Sequence, residues 1–351
     1  MKIIDSHSCC NLLHDGHIED DSSVLRLRAR VMSVGHRLGF SETICQNMGL
    51  VATEVASNQL KFADGRGSVQ IWQQPGDVLD IFALDYGPGI PNLEQALEDG
   101  HSSAGTLGKG LGSIQRLSDE MLVYTRTRDA SPVRKWTGAG IVARFRLDRK
   151  AGEWSQPARI GLYSRSLTDD RYNGDIIYLQ RSNHAVRWLH LDALGHGRIA
   201  QETIEGLGNH LIADGEPLQV LHGADRQLVE SRGAVAIAGE LRFHENKFTL
   251  AGVGDMHAHV GRDTSDEMDS FVFAPGVLGR EHKQPTEYRE WFDRHGLIIT
   301  ASDGLRRNWD GHSFPGLLNH HPQLIAYMLG NIMGRMSDDQ SICAIALPTD
   351  H

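Results

Sequence analysis

The spacing of apolar and polar residues changes period several times along the chain. Over residues 24–38 (VLRLRARVMSVGHRL) the apolar positions fall on one helical face, and Gly39 gives a stop signal before Ser41 and Glu42 start another helix. Residues 48–63 keep helical spacing with Leu50, Val51, Val55 and Leu60. SVQIWQQ and DVLDIFALD then alternate with period two on either side of Pro75-Gly76, which predicts a hairpin. A glycine-rich stretch at 87–112 leads into a helix from Ser113 and two more strands, MLVYTRT and IVARFRL. The first half therefore predicts two or three helices against an antiparallel-leaning sheet.

The run DRKAGEWSQPA is polar and aperiodic, and it marks a boundary. The expected division is a first domain at 1–148, a linker at 149–159 and a second domain at 160–351. In that second domain GDIIYLQR, HAVRWLHLDAL, GAVAIAGELRF, KFTLAGVGDMHAHV, GLIITAS and CAIALP predict strands, while 200–212 and 319–333 predict helices. Two packed sheets flanked by helices follow from this order. The fold class expected for the whole chain is α/β, of the α+β kind.

Composition changes the picture in several ways. A length of 351 residues suits two domains with ordinary cores. The balance of 45 acidic against 35 basic residues, a net charge of -10, argues against binding nucleic acid or anionic membrane through bulk charge. The six Trp show no basic interleaving for stacking on single strands. Four Cys without a C-x-x-C pair point to a reducing compartment. With no signal-peptide pattern in MKIIDSHSCCNLLHDGH and no run of about 18 apolar residues, a soluble, cytoplasmic protein is expected.

The glycine clusters lead to the first constellation. Glu54-x-x-x-Asn58 puts a carboxylate and an amide on one helix face, suited to a hydrated Mg²⁺ and a positioned hydroxyl. Asp85-Tyr86-Gly87-Pro88-Gly89 ends a strand, where an aspartate can accept from an adenine amino group. Gly105-Thr106-Leu107-Gly108-Lys109-Gly110-Leu111-Gly112 runs into a helix and can offer N–H groups to phosphate. Each piece alone is also a solvated face, a turn or a flexible connection; their order joins them.

In that order they resemble the GHKL ATPases (Bergerat fold), and among them the anti-sigma-factor serine kinases of the RsbT and SpoIIAB type, over about residues 20–147. The resemblance implies an ATP site with Asn58 on Mg²⁺ and Glu54 as base for the acceptor hydroxyl. Asp85, Gly87 and Gly89 would contact adenine, and the lid at Gly108, Lys109, Gly110, Leu111 and Gly112 would cover the phosphates. The stretch Gly138-Ala139-Gly140 departs from the family's threonine-bearing form, and His36 lacks the setting of a phosphoacceptor.

The second constellation is a set of aspartates beside small residues: Asn173-Gly174-Asp175, Asp192-Ala193-Leu194-Gly195-His196-Gly197, Ser302-Asp303-Gly304 and Ser337-Asp338-Asp339. Singly these are turn chemistry; together they suit hard cations that take oxygen ligands. They resemble the metal-dependent phosphatases of the protein phosphatase 2C type, with the bacterial SpoIIE, RsbU and RsbX enzymes, over about residues 160–347. The resemblance implies an α-β-β-α sandwich with two Mg²⁺ or Mn²⁺ ions. Asp192 would bridge them, the Ala193 carbonyl would complete one sphere, Asp303 and Asp338 would hold the second ion, and Asp175 would bind through water. Asp339 is the weaker candidate of its pair, His196 a loop-orienting residue, and His257 and His259 lie on a solvated or substrate-facing strand.

These resemblances imply a bifunctional partner-switching regulator. The first domain would phosphorylate a Ser or Thr of a STAS-domain protein of the anti-sigma-factor antagonist type, and the second would remove such a phosphate. The alternative is a phosphatase whose ATP-binding domain is a sensor or a module gripping a sigma factor or a downstream phosphatase. Homodimerisation through the first domain fits either reading.

Overall fold

A computed structural model describes residues 3–98, 110–127, 136–147, 158–167, 172–213, 215–262 and 266–347. By its contacts the chain forms two compact units, one of residues 12–154 and one of residues 1–11 together with 155–351.

In the unit of 12–154, the strands are β2 (Asn11–His17), β3 (Gly67–Gln74), β4 (Val78–Asp85), β5 (Glu120–Arg126) and β6 (Gly138–Arg146), and β1 belongs to the other unit. They form one sheet in the order β2-β3-β4-β6-β5. The β3–β4 hairpin turns at Gly76 (φ 84°) and Asp77 (φ 57°). Two long helices, α2 (Asp21–Arg37) and α3 (Glu42–Ala63), supply Val24, Leu27, Val31, Met48, Val51 and Val55 to one core with Val69, Ile71, Ile81 and Ile141 of the sheet. Short α4 (Leu93–Leu97) and α5 (Leu111–Leu117) complete the described helices of this unit.

The helix ends follow local chemistry. Asp20 caps α2 through the Ser23 N–H in a capping box, Gly39 follows at φ 91°, and Ser41 caps α3. The helix that Ser41 opens is continuous with residues 48–63, a single element of 22 residues whose Leu50 faces outward.

The other unit holds two sheets. One has the order β1-β8-β9-β10-β11-β14, built from β1 (Ile3–Asp5), β8 (Asp175–Arg181), β9 (Ala185–Ala193), β10 (Ala234–Arg242), β11 (Lys247–Val253) and β14 (Thr286–Trp291). The second runs β13-β12-β15-β16-β7, with β7 (Arg159–Arg165), β12 (His257–Gly261), β13 (Asp269–Phe271), β15 (Leu297–Ala301) and β16 (Gln340–Ala346). Helices α6 (Arg198–Ile204), α7 (His210–Ala213) and α8 (Pro217–Leu228) cover the first sheet, with Ala200, Ile204, Leu221 and Leu228 packed on Leu189, Leu191 and Ala236. Helix α9 (Pro322–Met333) covers the second: Gln323 accepts the Leu162 N–H (3.1 Å) and donates to its carbonyl (2.7 Å), and a side chain at Gly161 would collide with Pro322. The sheets meet face to face through His190 of β9, which hydrogen-bonds Thr300 (3.0 Å) and Ser341 (2.7 Å). This is an α-β-β-α sandwich, and the chain is of the α+β class.

Three sequence expectations need correction. Residues 1–11 do not belong with the first domain: β1 pairs with β8, Ile3 opposite Gln180, and a four-residue helix α1 (Ser6–Cys9) follows it. Strand β7 starts at Arg159, inside the expected linker, because its partner β16 holds it from Arg159 to Arg165. The helix expected at 200–212 is broken at Gly206 (φ 79°), a conformation that ends α6 and opens a 3-10 turn.

Candidate functional site

In the first unit, α3 presents Glu54 and Asn58 four residues apart, both half-buried. The next residue, Gln59, is buried and donates its side-chain amide to the carbonyls of Ser68 (3.0 Å) and Leu84 (3.1 Å). Since Leu84 precedes Asp85, this amide fastens the helix that carries Asn58 to the strand end that carries Asp85. Sequence reasoning passed over Gln59, whose only signal was a polar residue on the apolar side of α3.

Asp85 is held closely. Its Oδ1 accepts the N–H groups of Gly87 (2.8 Å) and Ala139 (3.2 Å), and its main-chain oxygen accepts from the Trp136 indole (3.2 Å). Burial raises its pKa, with the two N–H bonds opposing the rise. Among the described residues no hydrogen bond is recorded to Oδ2, so that oxygen can accept from a ligand. Glycine is required around it: side chains at Gly89 (φ 79°) and Gly138 (φ 143°) would collide with the carbonyls of Arg126 and Asp85. Thr125, opposite Ala139 on β5, donates to Gly138 O (3.0 Å) and accepts the Ile90 N–H (2.7 Å), so a threonine does tie this corner together from the neighbouring strand. Gly110 stands at the N-cap of α5 with no side-chain cap, and Leu111 and Gly112 are buried in its first turn. Gly108 and Lys109 lie outside the described residues.

In the second unit, Asp175 opens β8 and Asp192 lies near the end of β9, directly opposite it in the sheet. Asp303 follows β15 after Ser302, and Asp338 precedes β16. Asp175 is buried; it accepts from Ser341 Oγ (2.7 Å), with the Ser302 hydroxyl as a second donor. Because Ser341 spends its proton on Asp175, His190 Nε2 donates to Ser341, leaving Nδ1 to accept from Thr300. Burial first, then the charges of Asp339 and Asp338, push the Asp175 pKa up to about 8. Asp192 is raised well above the usual carboxylate range by burial and by Asp175, Asp303, Asp338 and Asp255. Asp303 is raised by burial, Asp338 and Asp255, with Arg335 and Arg307 opposing.

Asp339 spends both oxygens on main-chain N–H groups, Oδ1 on Leu167 and Oδ2 on Gly174, each at 2.7 Å. Ala193 N donates to Gly174 O (2.9 Å), which joins the two strand ends, and His196 is exposed. Asp255 is the residue that sequence reasoning missed. It sits between β11 and β12, in a stretch read as one strand, where Gly254 (φ 100°) bends the backbone too tightly for a side chain. A Gly-Asp pair inside an apolar run was the available signal.

Of the two expectations for the histidine strand, the solvated one needs correction. His257 is buried and accepts from Arg307 Nε (2.6 Å), while His259 packs on Trp309 (5.0 Å between centroids) and meets Ser270 Oγ at 3.0 Å. Neither ring is freely solvated: His257 is buried, and His259 is half-buried against Trp309.

Carboxylates and a carbonyl are the donors that hard divalent cations take, and a set of buried to half-buried carboxylates that raises the pKa of Asp175, Asp192 and Asp303 is a charge cluster that a cation would relieve. The residues fit such an ion chemically. Among the described residues no three His, Cys, Asp or Glu side chains form a ready-made cage, so the aspartates are gathered without being closed around a centre. No described helix is long and apolar enough to cross a membrane.

No protein-family model matches the chain. The serine/threonine-protein kinase RsbT of Bacillus subtilis (strain 168) is 32% identical to it over 109 residues, covering 30% of this chain and 81% of that protein. Among solved structures, RsbX in complex with magnesium is similar at a TM-score of 0.46 and 18% identity, over 54% of this chain and 96% of that one. The phosphatase domain of SpoIIE from Bacillus subtilis with a fragment of its regulatory domain is similar at 0.45 and 14%, over 94% and 95%.

Proposed function

We propose a function from one premise: the chain belongs, over its N-terminal part, to the family of the serine/threonine-protein kinase RsbT. In this reading the unit of 12–154 binds ATP with Mg²⁺ and transfers the γ-phosphoryl group to a Ser or Thr of a protein partner. Glu54 takes the proton of the acceptor hydroxyl, Asn58 holds the cation that accompanies ATP, and Asp85 accepts from the adenine amino group through Oδ2. Gly87 and Gly89 let the backbone close on the ring, and Gly108, Lys109, Gly110, Leu111 and Gly112 cover the phosphates.

The unit of 155–351 with 1–11 is read as a Ser/Thr phosphatase. Bound Mg²⁺ or Mn²⁺ ions supply charge that polarises a phosphoryl group and activates water. Asp192, Asp303, Asp338, Asp255 and the Ala193 carbonyl hold that charge, and Asp175 is kept in place by Ser341 and Ser302 behind Asp192. The substrate we propose for both units is a STAS-domain protein of the antagonist type, phosphorylated by one and dephosphorylated by the other. The observation that carries this is the pairing of Asp175 with Asp192, with three further carboxylates in electrostatic reach, in a chain whose other unit belongs to a kinase family.

A second reading makes the ATP-binding unit a sensor for the phosphatase. One observation favours it: in sequence that unit is inserted between two segments of the other.

Comparing phosphoproteomes of cells that carry Glu54→Ala or Asp192→Asn tests both readings. The first reading expects one Ser or Thr site to lose phosphate in the Glu54→Ala strain and gain it in the Asp192→Asn strain. Loss of a general base lowers transfer by about 10²–10⁴-fold. Change in the Asp192→Asn strain alone rejects the kinase and leaves the sensor.

A further inference from the structure

We infer that residues 3–9, which precede the ATP-binding unit in sequence, belong to the working aspartate centre, and that His7 is a positioning residue for it; this rests on the metal-binding reading above. Strand β1 adds to the free side of β8, with Ile3 opposite Gln180 and Asp5 opposite Tyr178. Helix α1 then turns the chain back across the start of β8. Asp5 caps it by accepting the His7 N–H (2.8 Å), and Ser6 Oγ accepts the Ile177 N–H (2.9 Å). The turn sets His7 Nε2 at 2.6 Å from the main-chain oxygen of Asp175.

The chemistry of that contact fixes the ring. A carbonyl oxygen only accepts, so Nε2 carries the proton, and in the neutral ring Nδ1 is then a bare lone pair. Nδ1 is buried and has no hydrogen-bond partner among the described residues. A half-satisfied buried imidazole is unfavourable compared with an apolar side chain of similar size. Packing alone does not account for histidine here; a grip on the Asp175 peptide does. With it, every polar group of Asp175 is held: the N–H by Asn173 Oδ1 (2.8 Å), the carboxylate by Ser341, and the carbonyl by His7. The residue opposite Asp192 thereby has one orientation, supplied in part from a segment nearly 170 positions earlier.

Groups that orient metal ligands from behind typically change metal affinity by about 10–100-fold. The test uses the full chain and Mn²⁺, with binding followed by the electron-spin signal of free Mn²⁺ and unfolding followed without metal. We expect His7→Leu to bind Mn²⁺ at least about tenfold more weakly than wild type, with its metal-free melting temperature unchanged or higher. His7→Gln, whose side-chain amide also donates to the Asp175 carbonyl, restores binding. Wild-type affinity in His7→Leu, or a lower metal-free melting temperature with unchanged affinity, overturns the inference, as does a His7→Gln protein as weak as His7→Leu. Should His7→Leu fail to fold, His7→Gln against the shorter His7→Asn decides: tighter binding by Gln supports the grip, and equal binding overturns it. A wild-type chain that takes up no Mn²⁺, like Asp192→Asn, overturns the metal reading itself; wild-type uptake with no effect of His7 overturns only the present inference.

Discussion

Arg144 of β6 and Asp80 of β4 face each other across the sheet and are joined by two parallel hydrogen bonds, Nε to Oδ1 and Nη2 to Oδ2, each 2.8 Å. The Asp80 side chain is 0% exposed and that of Arg144 is 9% exposed, with Glu120 on the far side of Arg144 at 3.3 Å. Removing one member of a buried pair leaves a charge without its partner, which costs about 3–5 kcal/mol, whereas replacing both by apolar groups can be neutral. Asp80→Ala is therefore expected to lower the stability of the 12–154 unit by that order, and Asp80→Leu with Arg144→Met to recover most of it. Denaturant unfolding of the full chain measures both, and equal losses in the single and double variants would contradict the reading.

Gly138 tests how closely Asp85 is held. Its φ of 143° and the collision of any Cβ with the Asp85 carbonyl mean that Gly138→Ala must push β6 away from Asp85. ATP affinity is expected to fall by about tenfold or more, the equivalent of ~1.4 kcal/mol. Gly76→Ala is the control, with φ 84° in the β3–β4 turn and nothing near its Cβ. It carries backbone strain without touching Asp85, so calorimetry should show unchanged ATP affinity; equal losses in the two variants would reduce the Gly138 effect to strain.

Asp255 should have opposite effects with and without metal. Its charge raises the pKa of both Asp192 and Asp303. Asp255→Asn removes that repulsion, so the metal-free protein is expected to melt higher. The same change removes charge that draws a divalent cation, so Mn²⁺ should bind more weakly and phosphatase turnover should fall. Melting curves in chelator and in Mn²⁺ read both signs; a drop in both would make Asp255 a packing residue.

His259 sets an acid limit. Burial holds its pKa down at about 4, against 6.5 for an ordinary histidine. Between those values the unfolded chain binds a proton that the folded chain refuses, so this contribution is complete above pH 6.5 and shrinks as pH falls toward 4. The slope from one such group is at most about 1.4 kcal/mol per pH unit. His259→Gln should flatten the decline of stability between pH 6.5 and 5 by up to one proton's worth, measured as urea midpoints at fixed pH. An unchanged slope would show that other groups carry the acid sensitivity.

What the sequence disclosed followed the range of the interactions involved. The capping of α2 and α3 by Asp20, Gly39 and Ser41 and the turn at Pro75-Gly76 are local, and apart from Asp20, which was not picked out, their signals lie within a few residues. Strand ends bearing Asp175, Asp192, Asp303 and Asp338 were legible because small residues flank each. Helix α8 was passed over although Val220, Leu221, Ala224 and Leu228 lie on one face, since Gly223 interrupts the pattern. Strand β14 (TEYREW) is an edge strand with an outward polar face, so it lacks the apolar run of its neighbours. Gln59, Asp255 and His7 act across 25 residues or more of chain, and nothing in their immediate surroundings announces their partners.

The pairing of Ile3 with Gln180 also has a temporal side. A ribosome delivers residues 3–5 ahead of the 12–154 unit, yet the strand pairing they make is possible only after the whole of 12–154 has emerged. Domains generally fold as units during synthesis, and contacts far apart in sequence form late because long loops must close first. The kinase-family unit is therefore expected to acquire its sheet while β1 still waits unpaired, and the α-β-β-α sandwich closes last, around a segment synthesised ahead of the unit inserted within it.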